Sequence, residues 1–245
     1  MDHSSQPLAL EQTVSHHESL AFRPHYLLAV DPKQLIETIY KYSSVPEWVE
    51  EQVRTTPFVV VRRDLATGHE IPIGVRGKEK NQRWAASCHP RLVKSIITPS
   101  QLLTRPIPTS RANATPALRT LDLLKERWMD LDCPWGPGGS VGFELATGSH
   151  VAKLGSDLDI VIYAENRMMA DEAKFLCARA MNLPATVDIR VETPVSGFSL
   201  REFASESPAA ILMRAPNGIM LGTDPWDDEL TIKYLTHAAV RSRHI

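Results

Sequence analysis

Cysteine is scarce in this chain, and no two thiols lie near each other in sequence: Cys88, Cys133 and Cys177 are more than forty residues apart. That excludes a Cys-x-x-Cys redox pair and a cysteine zinc site. An odd number of separated thiols suits a reducing compartment, with each thiol buried and inert. An excess of positive charge is also missing. The 27 Lys and Arg are set against 29 Asp and Glu, for a net charge of −2, so there is no footprint for extended nucleic-acid binding. Long apolar runs are absent too: the longest, around Phe58–Val61 and Ile160–Tyr163, are far too short to span a bilayer. From Met1 to Leu20 there is no Lys, no Arg and no apolar run, which argues against a secretory signal and predicts a disordered tail over residues 1–20. A soluble, cytoplasmic protein is expected.

What is present is ordinary globular material. The 245 residues are 43% apolar, enough for one large or two small domains. The clearest boundary is Thr104–Pro116, where three prolines alternate with small polar residues and no hydrophobic period is visible. Residues 105–115 read as an exposed linker between an N-terminal module, 21–104, and a C-terminal domain, 116–245.

In the N-terminal module a helix is expected around Lys33–Tyr42. Two strands, Phe58–Arg62 and Glu70–Arg76, are joined by an Ala66-Thr67-Gly68 turn, and Pro72 marks the second as an edge strand or a bulge. After the linker, Thr115 and Pro116 open a helix whose apolar face is Leu118, Leu121, Leu124, Trp128 and Leu131. A short helix over Val141–Ala146 should stop at Gly148. A helix over Arg167–Met181 turns Met169, Ala173, Leu176, Cys177 and Ala180 inward. Ser199-Leu-Arg-Glu202 reads as a capping box, and Pro216-Asn217-Gly218 as a hairpin turn between Ala209–Arg214 and Ile219–Leu221. The fold class is α+β.

The chemistry concentrates in two strands and a turn. Asp157-Leu-Asp159 enters the strand Asp157–Tyr163, and residues two apart on a strand share a face. Two carboxylates that close repel each other unless a cation lies between them. A hard ion such as Mg²⁺ or Mn²⁺ fits: it takes one or two carboxylates and completes its shell with water and phosphate oxygens. On the alternating strand Thr186–Glu192, Asp188, Arg190 and Glu192 share one face. Paired beside the first strand, Asp188 could be a third metal ligand or the base that takes a proton from an attacking hydroxyl. Arg190 beside it is a candidate substrate contact, whereas Glu192 reads as part of a solvated face. Upstream, Gly138-Gly139-Ser140 is a turn that a polyphosphate can approach closely, followed by a helix start with free N–H groups. Together these point to metal-assisted phosphoryl or nucleotidyl transfer.

Four bland or competing readings bound this one. Gly155-Ser156 abuts Asp157 and leaves no room for a helix, so it is a local turn. Gly138-x-Ser140-x-Gly142 matches the nucleophile elbow of hydrolases, but an elbow needs a strand before the serine, and Asp132–Pro137 is expected not to form one. Arg62, Arg63, Arg76, Lys78, Lys80 and Arg83 border Gly74 and Gly77. That cluster fits phosphate contacts and a solvated hairpin tip equally well. Trp84, Trp128 and Trp135 read as core or boundary residues.

Several segments together resemble one family. Arg23-Pro-His25, Pro72–Gly77, Gly139–Gly148, Ser156-Asp-Leu-Asp159 and Asp224-Pro-Trp226 are similar to the phosphoribosyl-dephospho-CoA transferases of malonate decarboxylase, within the nucleotidyltransferase superfamily. The resemblance runs from about Arg23 to Trp226. It implies a nucleotidyltransferase-like mixed sheet with flanking helices in the C-terminal domain. It also implies transfer of the prosthetic group from 2'-(5''-triphosphoribosyl)-3'-dephospho-CoA to a serine of the decarboxylase's acyl-carrier protein, with release of pyrophosphate. Asp157 and Asp159 would hold the metal, Asp188 would lie near the nucleophile, and Gly139 and Ser140 would hold the leaving phosphates. Arg76 and Arg83 would meet phosphates of the donor, the N-terminal module forming a wall of the cleft. The sixteen residues between Ser140 and Asp157 are more than is usual in the superfamily. A different nucleotidyltransferase, or a silent nucleotide-binding module, would share the same segments.

Overall fold

The computed structural model describes residues 22–41, 44–65, 68–79, 81–205, 210–227 and 233–234. The expected tail, Tyr42, Ala66, Thr67, Lys80 and Ala209 lie outside the described residues. The chain divides into two compact units, Met1–Ile96 and Ile97–Ile245.

The first unit carries β1 (Leu27–Val30), α1 (Pro32–Ile39), α2 (Glu47–Thr55), β2 (Phe58–Val61), β3 (Ile71–Arg76), β4 (Arg83–Cys88) and β5 (Val93–Ile97), with sheet order β4-β3-β2-β1-β5. Helix α1 begins where expected because the Asp31 carboxylate accepts the Gln34 N–H at 3.0 Å and Pro32 needs no partner for its nitrogen. Helix α2 carries little signal in the sequence. It has no side-chain cap and turns only Val49 and Val53 fully inward. Leu28, Leu35, Val49, Val53 and Ile73 form the centre of this unit's core.

Strand β3 is interior, between β2 and β4, and not the edge that Pro72 suggests. The Pro72 carbonyl accepts the Arg62 N–H at 2.9 Å, so its missing donor also faces that side. The bond Pro72 cannot donate is therefore the one to Arg62, just past the end of β2 at Val61, so a single bond is given up at the margin of the ladder.

The second unit carries α3 (Pro99–Leu102), α4 (Thr109–Ala114), α5 (Pro116–Arg127), β6 (Trp135–Pro137), α6 (Gly139–Thr147), β7 (Leu158–Tyr163), α7 (Ala170–Arg179), β8 (Val187–Glu192), β9 (Gly197–Ser199), α8 (Leu200–Phe203), β10 (Ile211–Ala215), β11 (Gly218–Gly222) and β12 (Lys233–Tyr234). Its sheet runs β12-β11-β10-β9-β8-β7-β6, with β7 and β8 parallel and every other pair antiparallel. Leu118, Leu121 and Leu124 of α5 pack with Leu158, Ile160, Val187 and Ile189 on one face of the sheet. Trp128 and Trp135 are buried in that core, edge to face at 5.0 Å, as their core assignment requires. The molecule is therefore α+β, and no helix among the described residues is long and apolar enough to cross a membrane.

Several local expectations are corrected. The stretch read as an exposed linker contains α4, which is anchored: Arg111 forms a two-pronged ion pair with Glu144, Nε to Oε1 at 2.8 Å and Nη2 to Oε2 at 2.9 Å. Asp132–Pro137 does supply a strand, β6, because an edge position tolerates Pro137. Met169 is the cap of α7 and is 68% exposed, since the helix starts three residues later than its apolar pattern suggests. Thr115 makes no side-chain cap bond. Ser199 makes none either, and the Glu202 carboxylate, which a capping box would turn back to Ser199, accepts the Leu212 N–H at 2.8 Å and ties α8 to β10. The hairpin forms as expected, with Ala215 opposite Gly218 across Pro216-Asn217.

Candidate active site

Parallel pairing of β7 and β8 brings the two carboxylate strands together. Asp159 stands directly opposite Asp188, and Leu158 opposite Val187. Partners in register share a face, so the Asp159 and Asp188 side chains lie on the face away from the α5 core, one strand spacing apart, about 4.8 Å. Arg190, two residues on, reaches Asp188 at 4.0 Å, the limit of an ion pair. Asp157 stands just ahead of β7 and is exposed. Glu192, read from sequence as solvated, is in fact buried and packed against Gly197.

The glycine turn reaches the same place. The Gly138 N–H donates to the Asp159 carbonyl at 2.9 Å. Gly139 opens α6 with φ +53°, and a Cβ on it would overlap the Asp159 carboxylate. Ser140 follows at the second position of the helix, where its N–H is among those with no intrahelical acceptor. A Cβ on Gly142 would stand 2.5 Å from the Pro137 carbonyl, so glycine there lets α6 lie close against the end of β6.

The sixteen-residue connection from Ser140 to Asp157 is drawn tight rather than left slack. Helix α6 ends at Gly148, in the left-handed conformation at φ +75°, its N–H donating to the Glu144 carbonyl at 2.8 Å. The Glu144 carboxylate, facing back into the loop, accepts the Val151 N–H at 3.0 Å and the Ala152 N–H at 2.9 Å. Arg111 completes the knot by donating to the Ala152 carbonyl at 2.9 Å. Beyond it the Ser156 hydroxyl accepts the Lys153 N–H at 2.9 Å, the local turn expected there, and delivers the chain to Asp157.

Burial pushes the Glu144 carboxyl up. Arg111 and the two amides outweigh that and hold it below its usual value of 4.5. A carboxylate depressed in the fold contributes stability that is complete above about pH 4.5 and is lost as pH falls. Arg111→Ala leaves Glu144 buried and unpaired, and is expected to cost about 3 kcal/mol at pH 7. Urea unfolding should show the gap to the unmodified protein closing as pH drops below 4.5, when Glu144 takes up a proton. A constant gap from pH 7 to pH 3 would contradict this role.

Glu144 and Arg111 were not singled out by sequence reasoning. The available signal was a lone charge in the apolar run Val141–Ala146, which in a buried helix demands a partner. The Asp224-Pro-Trp226 segment proves to be a clamp. Asp224 pairs with Arg167, the Ser196 hydroxyl donates to the Pro225 carbonyl at 2.9 Å, and the Trp226 indole donates to the Ala164 carbonyl at 2.9 Å. Trp226 also packs on Phe198 and Phe203, holding the far ends of β7 and β8.

The basic cluster belongs to the first unit. Arg62 pairs with Asp64 at 3.2 Å and Lys78 with Glu51 at 2.8 Å, while Arg76 and Arg83 face one another across β3 and β4. Of the thiols, Cys88 is fully buried and pushed up to about 12; burial also raises Cys133 and Cys177. All three are free, poor nucleophiles.

Among the described residues no group of three or more His, Cys, Asp or Glu side chains is placed to hold a metal ion. Asp159 and Asp188, in register on adjacent strands, form a two-carboxylate pair, and a hard ion such as Mg²⁺ takes one or two carboxylates.

These features define an α+β enzyme with carboxylates on a parallel strand pair beneath a glycine turn. The family model described as phosphoribosyl-dephospho-CoA transferase MdcG C-terminal domain matches residues 103–225, and that of the N-terminal domain matches residues 23–99. The phosphoribosyl-dephospho-CoA transferase of Klebsiella pneumoniae subsp. pneumoniae is 32% identical over 211 residues, covering 84% of this chain and 97% of the relative. Those of Azotobacter vinelandii and Pseudomonas aeruginosa are 34% and 33% identical, covering 75% and 83% of this chain and 87% and 93% of the relatives. No solved structure matches. The chain belongs to the phosphoribosyl-dephospho-CoA transferase family and is a transferase.

Proposed function

We propose that this transferase moves the phosphoribosyl-dephospho-CoA group from 2'-(5''-triphosphoribosyl)-3'-dephospho-CoA onto a serine of the malonate decarboxylase acyl-carrier protein, through a nucleotidyltransferase-like domain. The observation that carries the reading is the register of Asp159 with Asp188, with Gly139 lying against the Asp159 carboxylate. Those carboxylates, with Asp157, are suited to a Mg²⁺ or Mn²⁺ ion. When bound, the ion neutralises charge on the transferring phosphoryl oxygens.

The chain's own residues do the rest. The N–H groups of Gly139 and Ser140, at the positive end of α6, hold the departing phosphates. The acceptor serine oxygen forms a bond to the first phosphorus of the triphosphate. The bond from that phosphorus to the bridging oxygen of the departing group breaks, and pyrophosphate leaves with the electron pair. Asp188 is positioned to receive the serine proton or to complete the metal shell, and Arg190 steadies its carboxylate. A different donor would leave these roles in place and change only what enters the cleft.

Incubation with the purified apo carrier protein and donor labelled in its adenine ring tests the reading. Label should pass to the carrier with one pyrophosphate released per group, and a carrier that stays unlabelled overturns it. Removing divalent ions with a chelator should abolish transfer, and Mg²⁺ or Mn²⁺ should restore it. Full activity in metal-free buffer would remove the ion from the mechanism. In the first unit, Arg76→Ala is expected to weaken donor binding by about 1–3 kcal/mol, a lost charge-assisted contact. Calorimetric titration of the donor reads this directly, and unchanged affinity in both Arg76→Ala and Arg83→Ala assigns the cluster to the solvated surface.

A further inference from the structure

Strand β8 lies between β7 and β9, yet β9 pairs with it only at Arg190, Val191 and Glu192. Among the described residues the Val187 end of β8 therefore has no strand partner on that side. Peptide groups alternate along a strand. The Thr186 carbonyl accepts the Leu158 N–H at 2.9 Å, toward β7, so the N–H and C=O of Val187 turn toward the open edge. A cavity of about 500 Å³ lies against this edge, within the size range of small-molecule sites. Its walls include Cys177 from α7, Ala180, Leu183 and Ala185 from the segment that follows it, Arg201 from α8, and Asp188 itself.

The lining chemistry narrows the occupant. Among the described residues no aromatic ring lines the cavity, so a purine finds no stacking platform there. One arginine against one aspartate gives no surplus of positive charge for a polyphosphate. What remains is a wall part apolar and part neutral polar, with Asn182 and Thr186 in it, beside a strand edge that can bond amides, the way extended amide chains add to sheets. We propose that this cavity binds the neutral, amide-containing, thiol-ended arm of the donor and thereby separates an arm-bearing donor from a bare nucleotide. The inference rests on reading the substrate as a dephospho-CoA derivative, and Asp188 is the residue common to cavity and candidate site.

The test is calorimetric titration of the full chain with S-methyl 3'-dephospho-CoA and, separately, with ADP, which lacks the arm. The wild-type protein should bind the arm-bearing ligand at least tenfold more tightly. Ala180→Trp, which fills the cavity, should reduce that ligand to the affinity of ADP and leave ADP unchanged. A second measurement needs no variant. S-methyl dephospho-CoA, its own thiol blocked, should slow iodoacetamide labelling of Cys177 at least fivefold, while Cys133, outside the cavity, labels as before. Equal affinity for both ligands, or wild-type affinity in a folded Ala180→Trp, or unprotected Cys177, overturns the cavity assignment and leaves the transferase reading standing. Failure of the wild-type protein to bind either ligand overturns both.

Discussion

Asp157→Asn and Asp159→Asn are each expected to lower transfer to the carrier protein by about a thousandfold, a loss of ~4 kcal/mol of transition-state stabilisation. Each change keeps the size and shape of the side chain and removes a negative charge. Asp159 is the more demanding case, because its carboxylate packs against Gly139 and its carbonyl accepts the Gly138 N–H. The asparagine retains that packing and the backbone bond, so the melting temperature should stay within a few degrees of the unmodified protein. The loss should fall on the rate of transfer more than on donor affinity, because the ion acts most strongly on charge that develops in the transition state. Steady-state kinetics with the apo carrier, alongside a thermal melt, decide it. Near-normal turnover by either folded variant would take these carboxylates out of the chemistry.

The second large effect is expected at Gly139, where alanine meets two obstacles. Its φ of +53° costs a residue with a Cβ about 1–2 kcal/mol, and that Cβ would lie within the space held by the Asp159 carboxylate. Either the start of α6 or Asp159 must move. A displacement of about 1 Å in a catalytic group costs roughly a hundredfold in rate, so Gly139→Ala should lose at least that much activity together with the backbone strain. Gly155→Ala is the control: Gly155 has open space around it and no positive φ, and its replacement should leave transfer unchanged. Comparable activity in Gly139→Ala and Gly155→Ala would mean that the turn does not contact the reacting groups.

The periodicity of the second unit was legible because its elements bury a regular face. Leu118, Leu121 and Leu124 mark α5, the β-branched run Ile160–Ile162 marks β7, and the alternation of Val187, Ile189 and Val191 marks β8. Elements that bury little were not legible: α2 turns in only two residues, and α4 buries none and is anchored through Arg111. Capping residues misled for a related reason. Glu202 had a choice of backbone partners, and Leu212, ten residues away, won over the local box. Pro72 misled because its cost depends on where the neighbouring strand ends, which no local pattern carries.

The candidate site divides along the same line. The identity of its chemical groups was set by sequence alone: two aspartates at strand spacing, a third on an alternating strand, and a glycine-serine turn before a helix. Local geometry fixes which way such side chains point, and that needs only a few neighbouring residues. Bringing them together was decided by tertiary structure. Parallel pairing sets Asp159 against Asp188 across an intervening helix, and the Glu144–Arg111 knot takes up the long connection so that Gly139 meets the Asp159 carboxylate. Contacts between residues tens of positions apart depend on which strands pair and on which buried charges find partners. That outcome is a property of the whole packed core, where a buried charge without a partner is too costly to leave.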